Sequence, residues 1–201
     1  VIKAILFDFG GVIAEEGFRE GLKEIARKNG ISPEEFFSFV SDFIYTSGYL
    51  LGRAAEKDFW DALRKEMSIK GSDEELRREI LDRFIIRREI MKLVEQLKKR
   101  GYIVGILSDQ TNWLDELDKR DGFLKLFDYV FNSYHLHKAK RDPTVFSDVA
   151  QTMGLRPEEV LFIDDNPENL RRAEEKGVRT ILFTEFEDLL GRLKEERIFT
   201  E

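Results

Sequence analysis

The chain has no cysteine, which excludes disulfides and thiolate-ligated metals. It has only four prolines, and its hydrophobic and charged fractions, 42% and 36%, are those of a globular protein rather than a disordered or fibrous one. It has no long apolar run at its start. Val1, Ile2, Ala4, Ile5, Leu6 and Phe7 are interrupted by Lys3 and stop at Asp8, too short for a signal peptide or a membrane span. It also lacks a surplus of cations. A formal net charge of -7 disfavours nucleic-acid backbones and anionic membranes as partners, because both would be repelled. A small phosphorylated molecule stays open as a partner, since local cations or one metal ion reverse the sign inside a pocket. A cytoplasmic protein is expected.

What is present is a change of rhythm. The 201 residues suffice for one well-buried domain with a smaller insertion. Val1 to Phe7 reads as a buried strand that runs into Asp8-Phe9-Gly10-Gly11. Helical patterns follow over about Phe18 to Asn29, from Ser32-Pro33-Glu34-Glu35 onward, over Ala55 to Met67, from Ser72 to about Phe84, and over Arg87 to Lys99. Ser32 and Ser72 open capping boxes, and Gly30 and Gly101 read as stops. Beyond Gly101 strands alternate with helices. Strands are expected at Tyr102 to Leu107, Tyr129 to Phe131, Val160 to Ile163 and Val178 to Phe183. Helices are expected at Trp113 to Lys119, from Asp142-Pro143 to Gly154, from Asn166-Pro167 to Gly177, and from Phe186. Strands separated by helices indicate parallel βαβ units, hence an α/β, doubly wound parallel sheet. The helical stretch between the first strand and the rest reads as a small all-helical domain of its own. The expected division is 1–14 plus 88–201 for the α/β core and 15–87 for the helical insertion. No internal repeat or low-complexity segment is visible.

Four segments carry side chains suited to chemistry, and three follow the carboxyl ends of strands, where open parallel sheets hold ligands. Asp8-Phe9-Gly10-Gly11 puts a carboxylate beside glycines that let backbone approach a ligand; a plain turn is the alternative. Ser108-Asp109-Gln110-Thr111 presents a hydroxyl and N–H groups to an anion, or simply caps the next helix. His137-Lys138-Ala139-Lys140-Arg141 clusters cations in an acidic protein, as a phosphoryl holder or as a solvated loop. Asp164-Asp165-Asn166 sets two carboxylates side by side at the end of an apolar strand. Like charges there are unfavourable without a hard divalent cation.

In this order the segments resemble the haloacid dehalogenase superfamily, specifically its phosphatase-like members with a helical cap inserted after the first motif. The likeness covers nearly the whole chain. Phe162-Ile163-Asp164-Asp165-Asn166-Pro167-Glu168-Asn169-Leu170, with Ala173 and Gly177-Val178, carries it most specifically. Tyr49-Leu50-Leu51-Gly52-Arg53 with Phe59-Trp60 looks like a segment of such caps. The resemblance implies a Rossmann-like sheet of order 5-4-1-2-3 with Asp8 on the central strand. It implies an aspartyl-phosphate on Asp8 and Mg²⁺ held by Asp8, the Gly10 carbonyl and one or both of Asp164 and Asp165. Ser108 and Lys140 would hold the phosphoryl oxygens and complete the catalytic set, with Gly10, Gly11 and Asp109 also in substrate binding. A small phosphorylated metabolite is the implied substrate.

The sequence departs from that pattern at Gly10, where the family's phosphatases carry an acid–base Asp. General acid–base help is commonly worth about 10²–10⁴-fold. Glu15, Glu16 and Asp109 are candidates to replace it, and a slow or non-catalytic phosphate- or metal-binding regulator is the alternative. Asp109 stands where relatives often have Asn, and Arg141 where Pro is common, which leaves a choice between Lys140 and Lys138 that Asp142-Pro143 tips toward Lys140. A metal-free 2-haloacid dehalogenase is a further alternative, against which the Asp164-Asp165 pair argues. Phe36, Phe37, Phe39, Phe43, Tyr45 and Tyr49 read as the core of the helical insertion rather than a pocket lining. His135 and His137 read as surface loop residues.

Overall fold

The computed structural model of the chain describes residues 1–199. Five parallel strands form one sheet: β1 (Ala4–Phe7), β2 (Ile103–Ser108), β3 (Tyr129–Asn132), β4 (Val160–Asp164) and β5 (Arg179–Leu182). Their spatial order is β3-β2-β1-β4-β5, the expected order read from the opposite edge. Strand β1 is buried along its whole length, which fits its unbroken apolar run. It pairs with β2 through Phe7 and Ile106, and with β4 through Phe7 and Ile163. The ends of the three central strands are therefore level.

Alternate residues of each strand feed two apolar cores, as a period of two requires. Ala4, Leu6, Leu107 and Phe162 face one core, with Val145, Phe146 and Val149 of α8 (Thr144–Thr152) and Leu170 of α9 (Pro167–Glu174). Ile5, Phe7, Ile106 and Ile163 face the other, against α5 (Arg88–Lys99) and α10 (Phe186–Glu195). Helices on both faces make the sheet doubly wound. Among the described residues no helix is long and apolar enough to cross a membrane.

Between β1 and α5 lie α1 (Gly17–Lys28), α2 (Pro33–Thr46), α3 (Glu56–Met67) and α4 (Asp73–Leu81). Their starts follow local chemistry. Ser32 Oγ accepts from Glu35 N with Pro33 in the first turn, and Ser72 and Glu75 close a reciprocal capping box. Helix α4 ends at Leu81 rather than near Phe84, and α8 starts at Thr144, where Asp142 Oδ1 accepts from Thr144 N at 3.0 Å. A four-residue helix α7 (Ser133–Leu136) follows β3, and α6 (Trp113–Asp121) follows β2. Segment 15–87 is thus a run of helices, which we keep as the proposed cap, but its apolar interior is continuous with the second core. The join is aromatic. Trp113 of α6 stacks on Trp60 of α3 with centroids 5.9 Å apart, and Tyr49 meets Trp113 edge-on at 5.7 Å. The Tyr49 hydroxyl donates to Asn112 Oδ1 at 2.6 Å, and Trp113 Nε1 is buried without a partner among the described residues.

Candidate active site

All four segments meet at the carboxyl edge of the sheet. Asp8 follows β1, Ser108 ends β2, Asp164 ends β4 and Asp165 follows it. One oxygen from each of Asp8, Asp164 and Asp165 lies within 4.8 Å of the others. Lys140 enters from the loop before α8 and is 2% exposed. Its Nζ lies 2.9 Å from Asp8 Oδ1 and 2.8 Å from Asp164 Oδ2. Lys138 instead pairs with Asp148 at the surface and donates to Thr144.

Asp164 is held on every side. Its Oδ1 accepts from Asn166 N at 2.7 Å, and its Oδ2 accepts from Asn169 Nδ2 at 3.1 Å as well as from Lys140. Asn166 in turn caps α9 through Glu168 N. The strand end and helix start therefore fix the carboxylate that anchors Lys140. From the other side, both oxygens of half-buried Asp109 accept from Lys140 N, at 3.0 and 3.2 Å. The extra charge noted in the sequence thus pins the lysine loop.

Burial, and then repulsion from Asp164, drive the Asp8 carboxyl well above the usual carboxylate range, against the pull of Lys140. Asp165 is raised for the same two reasons. Burial opposes the charge on Lys140, but Asp164, Asp8 and Asp109 outweigh it and hold the ammonium above the ordinary lysine value. Ionised together, the three carboxylates exceed the one ammonium by two negative charges, the charge of one divalent cation. The donors are all carboxylate oxygens, the set a hard cation such as Mg²⁺ prefers.

Gly11 has a task of its own. Its φ is +86°, and a Cβ there would overlap the Asp165 carboxylate. Glycine thus lets the first turn pass directly under the Asp165 side chain without strain. Gly11→Ala is expected to lose about 1–2 kcal/mol from backbone strain alone, and more from displacing Asp165. Urea unfolding measures it, and a midpoint equal to wild type would show that the turn adapts.

The cluster opens into a cavity of about 840 Å³ lined by Asp8, Gly10, Ser108, Asp109, Lys140 and Asp165 on the sheet side. The opposite wall comes from the helical segment, and here one expectation is corrected. Phe36 and Tyr49 are fully buried core residues, but Phe37 and Tyr45 line the cavity and Phe39 is exposed. Helix α2 has two stripes: Phe36, Val40 and Ile44 point inward, while Phe37, Ser41 and Tyr45 follow one position behind. Two guanidiniums lie on those rings, Arg141 from the cation cluster read in the sequence and Arg19, which sequence reasoning passed over. Arg19 sits 4.5 Å above Phe37, and Arg141 sits 4.5 Å above Tyr45. The visible signal for Arg141 was its place beside Lys140; Arg19 gave none.

The three candidates for the missing acid separate. Glu15 turns outward and pairs with Arg87 at 3.1 Å. Asp109 is committed to Lys140 N. Glu16 lines the cavity, with its pKa raised by burial against the hydrogen bond from Arg19 N, and raised further by Asp165. His135 pairs with Asp115, and His137 Nδ1 lies 2.7 Å from the Leu51 carbonyl; neither lines the cavity.

The family model for haloacid dehalogenase-like hydrolases matches residues 2–185. Over 116 residues the chain is 32% identical to the bifunctional epoxide hydrolase of Rattus norvegicus, covering 54% of this chain and 21% of that one. The chain spans about a fifth of the length of such epoxide hydrolases. It is 27% identical over 207 residues to the enolase-phosphatase of Aquifex aeolicus, covering 90% of this chain and 89% of that one. In structure it is similar to the HAD family enzyme bt-2542 of Bacteroides thetaiotaomicron in its magnesium complex, with a TM-score of 0.77, 25% identity and coverage of 96% and 98%. From residue 2 to residue 185, then, strand order, motif order and family match agree, and the chain belongs to the haloacid dehalogenase-like hydrolases.

Proposed function

We propose that the chain is a Mg²⁺-dependent phosphatase that hydrolyses small phosphorylated metabolites through an aspartyl-phosphate on Asp8. The observation that carries this reading is the meeting of Asp8, Asp164 and Asp165 around buried Lys140 at the floor of an open cavity. A carboxylate becomes an effective nucleophile toward phosphorus when cations neutralise the group it attacks. Asp8, Asp164, Asp165 and the Gly10 carbonyl are the groups proposed to hold the ion, which when bound offsets repulsion between Asp8 and the incoming phosphate. Lys140 and Ser108 are proposed to grip the phosphoryl oxygens. Lys140 is fixed by Asp164 and by the Asp109–Lys140 N bonds, so its charge needs no reorganisation when substrate arrives.

A metal-free dehalogenase would have to leave the carboxylates either repelling one another or protonated, and a protonated Asp8 is a poor nucleophile, which disfavours it. The metal reading has a direct readout. An ion that binds only the folded chain at one hundred times its dissociation constant adds about 2.7 kcal/mol. For a chain of this size that corresponds to a rise in melting temperature of roughly 5–10 °C. Thermal melts in millimolar MgCl₂ and in excess chelator are expected to differ by that order, with a smaller difference in Asp165→Asn. Turnover of an activated aryl phosphate should stop in chelator. Identical melts, or chelator-insensitive turnover, would overturn the magnesium-dependent reading.

A further inference from the structure

A phosphomonoester must shed an alcohol oxygen, which leaves poorly as an alkoxide and well as an alcohol, so the site needs a proton near the leaving group. Asp8 is committed as nucleophile, Asp165 to the cation, and Asp109 to Lys140 N. Glu168 lies at the exposed start of α9 and pairs with Arg171. That leaves Glu16. We propose that Glu16 is the general acid and base of the reaction, its carboxyl reaching from the start of α1 into the space that Gly10 leaves open; the proposal rests on the phosphatase reading above.

The geometry is specific to this chain. Glu16 Oε1 lies 3.6 Å from where a Cβ on Gly10 would stand. A side chain at position 10 and the Glu16 carboxyl would thus address the same part of the cavity. Phe84 Cε1 lies 3.1 Å from that point, so glycine makes room for an aromatic and a carboxyl contributed by the helical segment. Glu16 Oε2 accepts from Arg19 N at 2.7 Å, which caps α1 and fixes the carboxyl. Oε1 is then the oxygen available to the substrate.

In the first step an Asp8 oxygen bonds to phosphorus as the ester P–O bond breaks. The bond's electron pair goes to the leaving oxygen, which takes the proton from Glu16 and departs as an alcohol. In the second step water bonds to phosphorus and gives a proton to the Glu16 carboxylate. The P–O bond to Asp8 breaks with its electrons returning to the Asp8 carboxylate, which releases phosphate and restores protonated Glu16.

Glu16→Gln separates this role from helix capping, because the amide oxygen still accepts from Arg19 N. An alkyl phosphate and p-nitrophenyl phosphate are assayed with wild type, Glu16→Gln and Asp8→Asn, and acyl-phosphate is trapped by rapid quench. The expected result is a loss of roughly 10²–10⁴-fold on the alkyl ester. On the aryl ester, whose leaving group needs no proton, the first phosphorylation should stay near the wild-type rate while aspartyl-phosphate accumulates for want of a base. An active wild type with an unchanged Glu16→Gln, or with equal losses on both esters and no accumulation, overturns the assignment. A wild type no more active than Asp8→Asn overturns the phosphatase reading, and this proposal with it.

Discussion

Asp8→Asn is expected to lower turnover of an activated aryl phosphate by on the order of 10⁶-fold, the scale on which removing a nucleophile acts. Asparagine matches aspartate in shape and keeps an oxygen that can accept from Lys140, so the floor of the cavity should survive. What goes is the anionic oxygen that bonds to phosphorus. The same change removes one of the buried like charges beside Asp164. The metal-free variant should therefore be at least as stable as wild type while inactive. Residual turnover within about tenfold of wild type would put the nucleophile elsewhere, since one factor of ten is only 1.4 kcal/mol of barrier.

Lys140→Met should do the reverse to stability. Methionine fills similar volume but leaves Asp8 and fully buried Asp164 facing each other without a cation. Removing one partner of a buried ion pair typically destabilises by roughly 3–5 kcal/mol. Urea unfolding in chelator is expected to register a loss of that size with little change in slope. Turnover should fall by roughly 10²–10³-fold, as when one fixed charge-stabilising donor is lost. The double variant Asp8→Asn with Lys140→Met should recover part of the lost stability, because one of the stranded carboxylates is gone. A double variant whose losses simply add would mean that Lys140 acts through packing rather than through charge.

Much of this was legible before the structure. Unbroken apolar strands, glycine stops and two capping boxes give the sheet and most helices, because local rules and tertiary packing agree there. The acidic pair and the lysine were legible because two adjacent carboxylates at the end of a buried strand have few explanations. The cavity wall was not. Phe36 and Phe37 are neighbours of the same chemistry, and one is core while the other lines the cavity. Periodicity reports that a helix has an apolar face; it does not say whether the facing surface is protein or solvent. Glu16 was similarly ambiguous beside Glu15, since both precede the first turn of α1 in extended backbone, where neighbouring side chains point to opposite sides. Only the fold decides which of the two turns inward: Glu15 pairs with Arg87, while Glu16 caps α1 and lines the cavity. Asp142, expected to open a helix, does cap one, but two residues ahead of its first turn, a shift within the ordinary fraying of helix ends.

The stacked indoles have a practical corollary. The sequence contains two tryptophans, and both lie in the single contact where α3 meets α6. Tryptophan emission from this protein therefore comes from one address, the seam between its helical segment and α6 of the α/β part. Any spectral change on adding ion or ester is a report from that seam, with no label required.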